Sequence, residues 1–306
     1  MDSRWWTKET VAVVTGSKRG IGYAIVRRLA ENGIRVILTD PDQEVGTAAV
    51  KTLQDAGFDN VIFYQLDVKD DTGIHVFEKW MKERYGKLDI LVNNAGIMGI
   101  SIDYDILKAN QADPRQIFSG KTVEGISESY EMAKECIDIN YYGTKRMAEA
   151  FLPLLKRASD AGGRIVNVSS RAGVLEFLQN EALRQQLNDL DNLNEVKIDT
   201  FLESFLKDFQ EGLLKNNGWP VQFSAYYVSK AAVSAYTRVL ARQNPDMYVN
   251  CVHPGYVKSE MNFNTGHLST DEGAEGPAML ALLPPGSPSG QYYNRKERAS
   301  FYFLDK

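Results

Sequence analysis

Tyr226 and Lys230 stand four residues apart in the string Tyr226-Tyr227-Val228-Ser229-Lys230. On a helix, positions i and i+4 share a face, so a phenol and an ammonium would project together. The following stretch supports that helix, with Ala231, Ala235 and Val239 recurring on one side. A nearby ammonium favours the phenolate and is expected to lower the Tyr226 pKa from about 10 toward working pH, where proton transfer is efficient. Tyr227 falls on a different face from Lys230 and is expected to stand apart. A second chemical string opens the chain, Thr15-Gly16-Ser17-Lys18-Arg19-Gly20-Ile21-Gly22, after an apolar run and straight into a helix-periodic stretch. Glycines there let the backbone approach a pyrophosphate, and bare N–H groups at a helix N-terminus face the anion. The spacing is GxxxGxG rather than GxGxxG.

These residues need a scaffold to meet. Apolar runs rich in β-branched residues occur at 10–15, 35–39, 61–68, 88–92, 164–168 and 248–252. Near-continuous apolarity suits strands covered on both faces. Charged, helix-periodic stretches such as 22–32, 46–56 and 72–85 follow them. The alternation predicts an α/β fold, a Rossmann-type doubly wound parallel sheet, with 1–306 as a single domain. Two stretches break the rhythm. Residues 96–140 hold few strand signals. Residues 175–223 are charged and Leu-rich, and Phe201, Phe205 and Phe209 recur every fourth residue. That stripe predicts a helix that packs rather than one that touches a ligand. Gly212 and Asn216-Asn217-Gly218-Trp219-Pro220 supply its stop.

Composition bounds the partners. Among 306 residues, 40 acidic side chains against 35 basic give a net charge of −5, which argues against a nucleic-acid grip. No run reaches bilayer length and the first residues hold no apolar signal segment, so a cytoplasmic protein without a membrane partner is expected. Cys136 and Cys251 lie far apart outside any CxxC, and His75, His253 and His267 are scattered. Neither a disulfide nor a metal site is expected.

Taken in order, the motifs resemble those of the short-chain dehydrogenase/reductase family. Gly16, Ser17, Lys18, Arg19, Gly20, Ile21 and Gly22 match its TGxxxGIG cofactor loop. Asn93-Asn94-Ala95-Gly96 is similar to the NNAG motif that steadies the sheet beside the adenosine. Asp67, followed by Val68, matches the aspartate that meets the adenine ring. Asn140 matches the catalytic-helix asparagine, Ser170 the catalytic serine, and Tyr226 with Lys230 the YxxxK motif. Pro254-Gly255, with Val257 and Ser259, resembles the PGxVxT segment that holds the nicotinamide carboxamide, Ser replacing Thr. The resemblance covers roughly residues 8–295 and implies hydride exchange between a nicotinamide and a ketone or aldehyde, or the corresponding alcohol. It assigns proton donation to Tyr226, a hydrogen bond on the carbonyl oxygen to Ser170, and the tuning of Tyr226 and grip on the nicotinamide ribose to Lys230. Asn140 would position a water that relays protons to Lys230.

Two departures narrow the resemblance. Ser170 and Tyr226 are 56 residues apart, where the family spacing is near a dozen. The extra segment resembles that of the monomeric carbonyl reductases and the plant salutaridine, menthone and isopiperitenone reductases. This implies a helical insertion at 174–223 that covers the active site and the face through which other members pair, hence a monomer. It also implies a small hydrophobic terpenoid or alkaloid ketone as substrate. The subgroup implies NADP (NADPH), with an Arg after the second strand. Here that place reads Asp40-Pro41, and an acid at this strand end bonds the ribose 2′-hydroxyl and favours NAD. Lys18 and Arg19 could still meet a phosphate, so both cofactors stay open. Parts of 98–131, 174–219 and 256–268 are expected to form the pocket, and Ile97, Met98, Leu175 and Met261 suggest an apolar ketone. Two rivals stay open: reduction of a conjugated C=C bond, against which Tyr226 stands, and a catalytically silent dinucleotide-binding protein, against which the intact Ser170, Tyr226 and Lys230 stand.

Overall fold

The six apolar runs become strands of one sheet because each is shielded on both faces. In the computed structural model, which describes residues 4–103, 105–106, 123–158 and 161–303, β1 (Val11–Val14) is buried throughout. It pairs in parallel with β2 (Arg35–Asp40) and with β4 (Ile90–Asn93), and β3 (Val61–Gln65) lies outside β2. Ser101–Ile102 (β5) and Ile126–Ser127 (β6) form a separate antiparallel pair. Beyond β4 come β7 (Arg164–Val168), β8 (Tyr248–His253) and β9 (Tyr292–Asn294), all parallel, and an antiparallel edge strand β10 (Glu297–Ala299). Among the described residues the order is β10-β9-β8-β7-β4-β1-β2-β3. The strand order reverses between β1 and β4, and at such a switch point the carboxyl ends of the strands open into a crevice.

Alternate strand residues serve opposite faces, as a period of two requires. Val13, Ile37 and Leu91 join Phe77, Phe151 and Val239 in one buried cluster. Ala12, Val14, Val36, Leu38, Ile90 and Val92 join Ile25, Leu29, Leu53 and Leu280 in the other. The helices that supply these side chains include α1 (Gly20–Glu31), α2 (Gln43–Asp55), α3 (Asp71–Tyr85), α4 (Tyr130–Ile137) and α5 (Gly143–Leu155). Two expectations need adjusting. The run 61–68 leaves the sheet after Gln65, because the Asp67 carboxylate accepts a hydrogen bond from the Lys69 N–H at 2.9 Å and turns the chain. The pairs β5–β6 and β9–β10 are too short to show a period of two in sequence. Within 96–140, residues 107–122 lie outside the described residues.

The segment 174–223 is helical. It holds α6 (Glu181–Asn188), α7 (Glu195–Gln210) and the single turn α8 (Leu214–Asn217). Asn180 and Asn194 cap α6 and α7 through their side-chain oxygens. The chain stops at Gly212 and Gly218, both left-handed. Along α7, Ile198, Phe201, Leu202 and Phe205 are buried and Phe209 is half-buried, so the stripe packs as expected. Phe201 and Phe205 meet Trp219 edge-on at 5.0 and 5.3 Å. This face lies on α4 and on the long helix α9 (Ser224–Gln243). α10 (Thr270–Ala281) covers the other side of the sheet against α1.

Candidate active site

Three elements converge at the end of β7. Ser170 follows the strand directly and opens a short turn, where its hydroxyl accepts the Ala172 N–H at 3.1 Å. The Tyr292 hydroxyl braces the same residue by donating to the Ser170 carbonyl at 3.1 Å. Opposite, α9 is held at its start by a carboxylate from another element. Glu128 accepts from the Ser224 N–H and hydroxyl, each at 2.9 Å, and from the Ala225 N–H at 3.2 Å. That cap stabilises a helix entered from Phe223 in a left-handed conformation. Tyr226 follows within the first turn.

Tyr226 and Ser170 lie in one wall of the site, and the Ser170 hydroxyl favours the phenolate form of Tyr226. Burial pushes the phenol up to about 12, although the neighbouring Ser170 side chain opposes the shift. The expected lowering by Lys230 is therefore corrected. Lys230 Nζ lies 5.8 Å from the Tyr226 ring centroid and donates to the Val168 carbonyl at 2.9 Å. Burial lowers the Lys230 pKa to about 8. Both groups share a helical face, but desolvation outweighs their mutual influence. Asn140 is buried in a π-helical turn, Asp138–Tyr142, between α4 and α5. Its carboxamide accepts the Ile97 N–H at 2.8 Å and donates to the Ile97 carbonyl at 2.9 Å and the Ser229 hydroxyl at 3.0 Å. A Cβ at Gly96 would stand 3.1 Å from Asn140 Oδ1 and 3.4 Å from Lys230 Nζ, so only glycine passes this corner freely.

The residues assigned to a cofactor line the same carboxyl edge of the sheet. The first turn of α1 has no side-chain cap and no acidic residue. Gly20 is left-handed with open space where a Cβ would stand. Free N–H groups and a bare approach fit a pyrophosphate. Gly16 and Gly22 are held from behind, since the Asn94 side chain donates to the Gly16 carbonyl at 2.9 Å and lies where a Gly22 side chain would go. Ala95 stands against Gly16, and its N–H donates to the Thr15 hydroxyl at 3.1 Å. Ser17 is fully buried, and its hydroxyl donates to the Val14 carbonyl at 2.7 Å, so its side chain faces inward. Asn93 is likewise inside the sheet, bonded to Asn167 at 2.9 Å. Val68 is buried, and Asp67 beside it holds the turn after β3. Asp40 is buried at the end of β2 and pairs with Lys18 at 3.0 Å, while Asp42 takes the same ammonium at 3.5 Å. Arg19 reaches across to pair with Glu260.

A cavity of about 630 Å³ opens beside Ser170 and Tyr226, and Ile21 is the residue of the glycine loop that reaches it. Ile21, Ser170, Tyr226, Pro254, Gly255, Val257 and Ser259 all line it. Met98 and Met261 line it as expected, whereas Leu175 is fully buried below. Tyr227, set aside by the sequence reading, also lines the cavity, its ring 4.9 Å from Phe177. Arg171, Tyr292, Arg295 and Phe303 were missed as well. The adjacency of Arg171 to Ser170 was a usable signal. The C-terminal residues carried none until β9 paired with β8. Asn94 was visible only as part of its motif, and its clasp on the glycine loop is tertiary.

Comparison with known proteins agrees with this geometry. A family model described as short chain dehydrogenase matches residues 10–182. (+)-Neomenthol dehydrogenase of Arabidopsis thaliana is 49% identical over 294 residues, covering 95% of this chain and 97% of its own. Salutaridine reductase of Papaver bracteatum is 45% identical over 304 residues, with 96% and 97% covered. The solved structure of salutaridine reductase from Papaver somniferum superposes with a TM-score of 0.86 at 44% identity, covering 93% of this chain and 99% of that one. Fold, site and relatives together make this chain a member of the short-chain dehydrogenase family, an oxidoreductase that interconverts a carbonyl and an alcohol with a nicotinamide dinucleotide.

Proposed function

We propose that this oxidoreductase reduces a small hydrophobic ketone of terpenoid or alkaloid size, with Tyr226 as proton donor. The observation that carries the reading is that Ser170 and Tyr226 line the same wall of a largely apolar cavity. A nicotinamide dinucleotide, when bound, would supply the hydride. Tyr226, neutral at working pH with its pKa near 12, hands its proton to the carbonyl oxygen. Ser170 donates a hydrogen bond to that oxygen as negative charge develops. Lys230 and Asn140 lie behind this wall at Gly96, where Lys230 would hold the ribose hydroxyls of a bound cofactor and Asn140 would position a proton-relaying water. Met98, Val174, Phe177 and Met261 supply the apolar surface. The names of the relatives support the substrate class, being dehydrogenases or reductases of neomenthol and salutaridine.

The cofactor proposed is NADH rather than NADPH. The cations that could meet a 2′-phosphate are engaged, Lys18 by Asp40 and Asp42, and Arg19 by Glu260. Three carboxylates against two cations leave that corner negative, which opposes a further anion. A relative named carbonyl reductase [NADPH] 3, of Mus musculus and 35% identical, favours the opposite reading. We further propose a monomeric, cytoplasmic enzyme.

The test is a panel of cyclic ketones and enones, assayed with each cofactor and with products identified. Alcohol formation is expected, falling roughly a hundred- to ten-thousandfold in Tyr226→Phe while cofactor affinity holds. A saturated ketone formed from an enone would instead establish C=C reduction, the activity that the name of a 40%-identical relative from Mentha piperita, (−)-isopiperitenone reductase, suggests. Cofactor binding without turnover of any carbonyl would establish the silent reading.

A further inference from the structure

Two guanidiniums line the cavity, and neither has an ion pair or side-chain hydrogen bond among the described residues. Arg171 is exposed and directly follows Ser170. Arg295 is half-buried in the turn between β9 and β10, in a left-handed conformation with φ 57°. Its N–H donates to the His253 carbonyl at 2.8 Å. Its aliphatic stem lies over Gly255, where an added Cβ would stand 3.5 Å from Arg295 Cδ. His253 lies within the field of both guanidiniums. Its Nδ1 is buried without a hydrogen-bond partner, and burial, reinforced by Arg171 and Arg295, pushes the imidazole down to about 4. The acids nearest Arg295 are occupied. Glu272 accepts the Ser269 N–H at 2.8 Å, and Glu275 pairs with Lys296 at 2.8 Å. In a chain of net charge −5, two cations without an ion pair among the described residues, beside the reacting groups, make a local positive mouth. A guanidinium fork matches a carboxylate in shape as well as charge. A purely apolar ketone would make no use of either fork.

We propose that the pocket takes a carbonyl substrate that also bears a carboxylate, the carboxylate seated by Arg171 and Arg295 while the carbonyl meets Ser170 and Tyr226. This rests on the reading of that pair given above and narrows its substrate class. The carboxylate is unchanged by the reaction. Tyr227 lines the same cavity, and the charge of Arg171 opposes the rise that burial imposes on its phenol.

The test uses a cyclohexanone carrying a carboxylate opposite the ketone, together with its methyl ester, on the full chain with saturating NADH. Dissociation constants by calorimetry and initial rates are measured for wild type, Arg171→Gln, Arg295→Gln and Lys51→Gln, the last an exposed cation on α2 paired with Asp55, outside the cavity lining. The acid is expected to bind roughly tenfold or more tighter than the ester, with the advantage shrinking as salt is raised. It should fall to within about twofold in either arginine variant and persist in Lys51→Gln. Equal affinity for acid and ester in wild type overturns the proposal, as does an undiminished acid preference in both arginine variants. A loss of NADH affinity in Arg295→Gln with the preference intact also overturns it, assigning Arg295 to the cofactor. Tight, arginine-dependent binding of the acid without turnover would keep the anionic seat and sink the catalytic reading beneath it.

Discussion

Burial moves the Tyr226 phenol and the Lys230 ammonium in opposite directions, and both shifts favour the neutral form. For Lys230 the consequence is measurable. Below pH 8 it is charged in folded and unfolded chains alike, and its burial destabilises the fold in full. Between about 8 and 10.5 the unfolded chain keeps a proton that the folded chain has shed, so stability rises with pH. Tyr226 acts the other way at higher pH, between about 10 and 12, where the folded chain keeps the proton and stability falls. Lys230→Met should be more stable than wild type near pH 7, by a margin that shrinks by roughly 3 kcal/mol as pH reaches 10.5. Urea unfolding of the cofactor-free protein checks this, and a pH-independent margin would show the ammonium to be solvated. Asp40 decides a second question at this scale. A carboxylate about 4 Å from a phosphate costs roughly 4 kcal/mol at an effective dielectric near 20, and its Lys18 partner at 3.0 Å offsets part of that. Replacing Asp40 by Ser and Pro41 by Arg removes the repulsion, releases Lys18 and adds a phosphate donor. The ratio of kcat/KM for NADPH over NADH should rise roughly tenfold or more. An unchanged ratio would remove Asp40 from cofactor choice.

At the scale of elements, the site depends on where α9 begins. Its first turn carries Tyr226, and the three hydrogen bonds to Glu128 hold that turn. Burial raises the Glu128 pKa while the bonds from Ser224 and Ala225 oppose the rise. Glu128→Ala leaves buried N–H groups unpaired and should cost about 2 kcal/mol of stability. It should also lower kcat more than it changes cofactor affinity, because Tyr226 is displaced while the glycine loop is untouched. Thermal unfolding and kinetics with each substrate check this. Unaltered kcat with lowered stability would mean that the left-handed turn at Phe223 alone sets the start of the helix. The strands and helices of the sheet were legible in sequence because apolar runs and helical periods are local patterns, and Arg164–Val168 begins and ends where its run does. The start of α9 was not legible. Its cap comes from Glu128, 96 residues before Ser224.

At the scale of the whole molecule, the insertion decides what the surface can do. α7 lays Phe201 and Phe205 against Trp219 and packs on α4 and α9, and on the proposal of a monomer this covers the face that a second copy would need. Light scattering at micromolar concentration should give a mass near 34.3 kDa. A stable tetramer would sink this view of the insertion.

The sequence by itself determined the doubly wound sheet, the glycine loop, the Ser170, Tyr226 and Lys230 set, and the helical character of 174–223. These rest on short-range rules: side chains four apart share a helical face, and tight turns want glycine. The tertiary structure alone decided the rest. It turned Ser17 inward, tied Lys18 to Asp40 across neighbouring strands, and brought Tyr227 into the cavity wall. It raised the Tyr226 pKa where proximity to Lys230 had suggested lowering it. It also set Arg295 on the same cavity as Arg171, 124 positions earlier in the chain. Desolvation and charge balance sum over every group that folding gathers around an atom, and most of those groups are distant in sequence.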